Sequence, residues 1–199
     1  MRVRLPIPAL VAVILWGCAV VPAASRYERA GVRAREVRQP SPPRDEQHDF
    51  DFEFGSWSVR LRRLVDPLTG SDQWVEMQGT SVVRKIWGGG ANLGELDVTS
   101  GSSRLEGLSL RLYDPATRQW RIYWSNAKDG RLGTAMVGGF SNGRGEFYNQ
   151  ELFRDRAIYV RFIFSDLTRD SFRLEQAFSA DGGRTWEPNW IASFTRTGP

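Results

Sequence analysis

HDFDFEFGSW, residues 48–57, stands where the character of the chain changes, and it can be read in two ways. As a strand it would place Phe50, Phe52 and Phe54 on one face and Asp49, Asp51 and Glu53 on the other, because side chains alternate along extended backbone. Gly55 interrupts that alternation, and Trp57 then falls on the acidic side. As a short turn of helix the same residues bring Phe50, Phe54 and Trp57 together and hand over to a strand at Trp57. This second arrangement buries more apolar surface.

After this stretch the sequence reads as β-structure throughout. Aromatic and β-branched runs recur about every eight to twelve residues, the spacing of short strands joined by tight turns. The turns are DPLTGS (66–71), GGGAN (88–92), YDPATRQ (113–119), SNGRGE (141–146), FRDRA (153–157), SDLTRDS (165–171) and ADGGRT (180–185). Asp-Pro presets turn backbone, and glycine takes the positive φ that hairpins require. About ten strands follow, near 57–65, 73–87, 92–98, 105–113, 120–126, 133–141, 145–153, 157–165, 171–179 and 186–196, with no helical period between them. Every connection is hairpin-short, so sequence neighbours should pair antiparallel. Closing the meander removes both long edges, and the expected fold is an all-β, ten-stranded up-and-down barrel.

Gly55-x-Trp57 at the first strand resembles the G-x-W signature of the calycins, the lipocalin-like barrels. That resemblance implies a basic residue of the last strand lying over the tryptophan, and Phe194-Thr195-Arg196 ends the last strand here. The runs HDFDFEFG-x-W, YDP-x-T-x-x-W, GEFY and EQAFS-x-DGG-x-TWE are similar to those of an uncharacterised bacterial family of lipocalin-like domains. It implies a fold and no particular activity. Relatives in the wider superfamily bind haem through a histidine; no expected barrel strand carries one here, so no cofactor is carried over.

The front of the chain reads differently. MRVRLPIPALVAVILWGCAVVPAAS opens with Arg2 and Arg4, continues with an apolar run and ends in small residues, the pattern of a secretory signal over 1–24. Two processing sites compete. Val21-Pro22-Ala23 suits ordinary signal peptidase, whereas Leu15-Trp16-Gly17-Cys18 resembles a bacterial lipobox that would lipidate Cys18. Residues 25–47, rich in Arg and Pro, read as a disordered tether, and the barrel domain is expected over 48–199. The product would be secreted, periplasmic, or held at the membrane by a lipid on Cys18.

The sole cysteine, Cys18, and the sole histidine, His48, exclude disulfides, thiol nucleophiles and zinc sites built on several thiolates or imidazoles. No metal is expected. Residues 1–46 carry eight Arg against four acidic residues, while 47–199 carry nineteen residues of each sign. The body is therefore neutral and lacks the concentrated basic face that nucleic acid demands.

Ser179-x-Asp181-x-Gly183-x-Thr185-Trp186 resembles the Asp-box of sialidases. It occurs once in a chain too short for a propeller, so Asp181 and Trp186 are read as a structural hairpin. GGGAN lacks the Lys-Ser/Thr ending of a phosphate loop and is read as a turn. His48 beside Asp49 and Asp51 could form a base or metal pair, or simply be solvated at the tether junction.

Polar residues sharing faces with hydrophobes are the better signal. Parity groups Phe147, Asn149, Glu151 and Phe153; Trp120, Ile122, Trp124 and Asn126; and Phe172, Leu174, Gln176 and Phe178. In AIYVRFIFS, Ile158, Val160, Phe162 and Phe164 form one face, but Tyr159 and Arg161 could point inward instead. A polar group inside an apolar barrel needs a partner, from the protein, water or a ligand. Trp124, Phe147 and Trp190 as walls, with Asn126, Asn149, Glu151, Arg161 and Gln176 as anchors, describe a small-molecule site. The leading expectation is a barrel binding a small, largely apolar ligand. The alternatives are an enzyme using a buried carboxylate, Glu151 first and Glu175 next, and an envelope interaction protein with a solid barrel.

Overall fold

The structure, a computed structural model, describes residues 45–199. The expected signal segment, Cys18 and most of the tether lie outside the described residues. Ten strands follow two 3-10 turns: β1 (Gly55–Leu64), β2 (Trp74–Ile86), β3 (Ala91–Ser100), β4 (Ser103–Asp114), β5 (Gln119–Asn126), β6 (Met136–Ser141), β7 (Arg144–Phe153), β8 (Arg156–Ser165), β9 (Ser171–Ser179) and β10 (Glu187–Gly198). Each pairs antiparallel with its sequence neighbours, and β1 pairs with β10, so the sheet closes without an edge. The expected barrel is the observed one.

One end is sealed by the segment that precedes β1. Glu46–His48 and Asp51–Glu53 are 3-10 turns, and Phe50 between them is fully buried. Its ring meets Trp120 and Phe140 edge-on at 4.9 Å and Phe164 at 5.3 Å. Phe52 packs edge-on against Phe172, which stacks on Phe194 at 4.1 Å. The expectation that Phe54 joins Phe50 inside is corrected. In a 3-10 turn residues three apart eclipse, so Glu53 rather than Phe54 shares the side of Phe50, and Phe54 turns out to meet Lys85. Glu46, expected in the tether, also belongs to this body: its carboxylate pairs with Arg118 and its carbonyl accepts from Trp120 Nε1 at 2.8 Å.

The closure of the ring is tied at the same end. Trp57 faces Arg196 across the β1–β10 ladder, and the guanidinium lies 4.1 Å from the indole centroid. The same group donates to the carbonyls of Phe54 at 2.6 Å, Phe52 at 2.7 Å and Arg169 at 2.8 Å, while Trp57 Nε1 donates to Glu53 O at 2.7 Å. Gly55 lets this happen. Its φ is +111°, and a Cβ there would stand 2.8 Å from Arg196 Nη1 and 2.7 Å from Gly198 O.

Near the other end, Asp181 organises the β9–β10 turn. Its carboxylate accepts from Ser179 and Thr185 hydroxyls at 2.8 and 2.6 Å and from the amides of Arg184 and Thr185. These bonds hold the Asp181 carboxyl well below the ordinary carboxylate range. Trp186 donates to Gly183 O and lies against the outside of the sheet, beside Tyr148 and beneath Arg161.

Candidate functional site

Above the aromatic plug the barrel is hollow, so the alternative of a solid interior does not hold. The cavity measures about 590 Å³ and opens between the β1–β2 hairpin, at Val65–Pro67, and Arg154. Asp66 and Arg154 pair across this mouth, and Glu187 holds the hairpin by accepting from the Leu68 amide at 2.6 Å.

Strand alternation brings six of the eight expected residues to the wall: Trp124, Asn126, Asn149, Glu151, Gln176 and Trp190. Trp124 and Trp190 meet edge-on with centroids 6.1 Å apart. Phe153, Phe162 and Phe178 extend the aromatic lining. Asn149 donates to Thr134 O at 3.1 Å, and its Oδ1 has no partner in the protein. Beside it, burial raises the Glu151 carboxyl above its ordinary range, with hydrogen bonding to Asn149 opposing the shift. Asn126 is committed elsewhere: its Oδ1 accepts from the Lys128 and Asp129 amides, and its Nδ2 donates to Asp129 at 2.6 Å.

Two expected residues are not at the wall. Phe147 is fully buried within the plug, 5.7 Å from Phe50, because residues 50–53 fill the barrel at its level. Arg161 points outward over Trp186 at 4.5 Å, since Val160, Phe162 and Phe164 take the inner face of β8. Glu175 likewise faces out, paired with Arg173 at 2.8 Å. His48 hydrogen-bonds Asp51 at 3.0 Å beyond the closed end and does not line the cavity.

Polar residues that strand parity did not find complete the interior. Asn189 is the extra residue of a bulge in β10, between Pro188, paired with Ala177, and Trp190, paired with Gln176. A bulge turns two successive residues to one side, so Asn189 and Trp190 both line the cavity. Gln176 Nε2 donates to Asn189 Oδ1 at 2.7 Å, leaving Asn189 Nδ2 buried without a partner. At the floor, Arg111 Nη1 lies 2.8 Å from Glu53 Oε2 and donates to Asn92 Oδ1 at 2.9 Å. All three are buried, and Arg111 also lies over the Phe50 ring. Loss of hydration raises the Glu53 carboxyl to about 7 despite the neighbouring cation, and the same burial pushes the Arg111 guanidinium down. Ser81 and Ser109 line the same region.

No family model and no curated protein matches the chain. Solved structures with the same fold do. The S-type phycobiliprotein lyase CPES from Guillardia theta is 11% identical, with a TM-score of 0.50 over 78% of this chain and 98% of that one. Rv2717c from M. tuberculosis is 11% identical, with a TM-score of 0.51 over 77% of this chain and 98% of that one. Both are calycin-like ten-stranded barrels.

Proposed function

We propose that this barrel is a binding protein for a small, mostly apolar molecule held in its cavity. The observation that carries the reading is the composition of the wall. Aromatic side chains surround a space of about 590 Å³, within the range typical of small-molecule sites. A few polar side chains, Asn149, Glu151, Gln176 and Asn189, stand among them on the wall. An apolar wall with a few polar side chains is the usual build of a small-molecule site, the polar groups fixing the ligand's orientation. A phycobiliprotein lyase among the fold neighbours is consistent with a barrel of this build handling a small molecule.

Trp124 and Trp190 supply the test. N-phenyl-1-naphthylamine, a neutral apolar fluorophore, should bind, brighten and accept energy from both indoles, and Trp190→Ala should weaken the transfer. Native mass spectrometry of gently purified protein should show adduct mass. A bare polypeptide mass together with no fluorophore binding sinks the reading.

Glu151 favours a second reading, proton transfer to or from the captured molecule, because its carboxyl holds its proton more tightly than usual. Glu151→Gln would then keep binding and lose turnover. The leader adds export to the proposal. Cys18→Ala should move the product from the membrane to the soluble fraction if the lipobox is used, and leave fractionation unchanged if cleavage follows Ala23.

A further inference from the structure

We propose that Glu151 is the receptor for a protonated amine, so that the molecule held in the cavity carries an ammonium at the β7 wall and fills the barrel with its apolar body. The proposal rests on the ligand-binding reading above and names the head group of what is bound.

Glu151 stands on the inner face of β7, three residues before Arg154, which lies at the mouth. It lines the cavity and is only partly buried, so an incoming molecule reaches it directly. Within the protein only Asn149 hydrogen-bonds it, and no basic side chain among the described residues pairs with it. The cations around the cavity are placed elsewhere. Arg111 is held by Glu53 at the floor and Arg154 by Asp66 at the mouth, while Arg63 stands on β1, four strands around the ring from β7. Burial has removed water from the Glu151 carboxylate without supplying a positive charge in return, and its carboxyl therefore holds a proton more tightly than usual. A cation that arrives with the ligand supplies what the fold leaves out.

Charge and lining select the class of ligand. An ammonium beside Glu151 forms a charge-assisted hydrogen bond in a partly desolvated space, where such a bond is stronger than in water. A ligand carboxylate at the same place sets two anions together, and a hydroxyl brings no charge. The walls act in the same direction. Phe153 shares the inner face one position nearer the mouth, and Phe162, Trp124 and Trp190 line the same cavity. Ring faces attract cations and not anions. Deeper in, Ile122, Phe164 and Phe172 give an apolar lining, so a head group at Glu151 leaves its hydrocarbon pointing inward, away from water.

The test compares decylamine, decan-1-ol and decanoate as competitors of N-phenyl-1-naphthylamine on the full-length protein at about pH 8, where an alkylamine is charged. Decylamine should displace the fluorophore at roughly a tenfold lower concentration than decan-1-ol, the scale of a hydrogen bond to a charged group, with decanoate the weakest of the three. Non-specific attraction works the other way, because the whole chain carries a formal charge of +4. Glu151→Gln keeps the shape of the side chain and removes its charge, and in that variant decylamine should fall to the level of decan-1-ol. Each ratio is read within one protein, so any change in fluorophore affinity cancels. Equal displacement by amine and alcohol in the wild type, or a preference for the amine that survives Glu151→Gln, overturns the amine site while leaving the cavity reading intact. Failure of the fluorophore to bind overturns both.

Discussion

The indole of Trp124 occupies the space that a side chain at Gly107 would need: a Cβ built at residue 107 would lie 2.0 Å from the Trp124 ring. Gly107 on β4 pairs with Asn126 on β5, two residues along from Trp124, and the missing side chain lets the tryptophan ring lie diagonally across it beside the cavity. Gly107→Ala must therefore displace the ring. Overpacking of this kind costs about 1–3 kcal/mol, and the displaced indole should narrow the cavity. Thermal unfolding and fluorophore titration check both effects; unchanged binding would show that Trp124 does not shape the site.

Glu151→Gln removes a carboxyl whose charged form is disfavoured by burial. A raised folded-state pKa means that this group's stabilising contribution is full below the unfolded value and is lost as pH rises through the folded one. The amide variant should thus match the wild type at about pH 4 and be slightly more stable at about pH 8. Denaturant midpoints at the two pH values measure the difference. A variant less stable at high pH would mean that the carboxylate has a favourable partner.

The floor pair makes a larger pH signature. Glu53 rises from 4.5 to about 7 in the folded protein. The sign is the same as for Glu151, so its contribution is present below pH 4.5 and is gone above about 7. The linked loss is about 3 kcal/mol across that interval. Glu53→Gln/Arg111→Met should flatten the slope at modest cost, whereas Arg111→Met alone removes the cation that opposes the rise, so the Glu53 carboxyl moves higher still and the fall in stability extends further above pH 7. Urea unfolding from pH 4.5 to 8 resolves the three proteins.

Arg196→Lys keeps the charge over Trp57 and loses the fork that reaches two carbonyls of the plug, Phe52 and Phe54. A lysine cannot reproduce planar, paired donation. The expected loss is about 2 kcal/mol of global stability, with fluorophore affinity little changed because the cavity lies on the other side of the plug. A selective loss of binding at wild-type stability would contradict this arrangement.

How far each part was legible follows from local chemistry. The barrel was legible because its hairpin turns are written in Gly, Asn and Asp-Pro, and all ten expected strands formed. Glu151 and Gln176 were legible because β7 and β9 keep a strict period of two beside them. Arg111 was not. In LSLRLYD the leucines at 108, 110 and 112 invite an inward reading, yet they lie on the outer face, half-buried, while Ser109 and Arg111 turn in. The interior of this wall is more polar than its exterior, the reverse of the usual rule for strand faces. Glu53 was hidden by the three-residue period of its turn, and Asn189 by the bulge that suspends alternation.

The pairing of Trp57 with Arg196 joins the first strand to the last, and this sets the order of events when the chain is made. β1 emerges early and can pair with β2 at once, but its other side must wait for β10, the last strand of the barrel to be made. Contacts so distant in sequence carry the largest loop-closure penalty and form late. Until then β1 presents an open row of amides and carbonyls, a template for strands of other molecules. Crowded synthesis should thus expose an aggregation-prone intermediate that the finished ring no longer contains. Truncation of β10 should reproduce it permanently, as insoluble product rather than a soluble barrel with a gap.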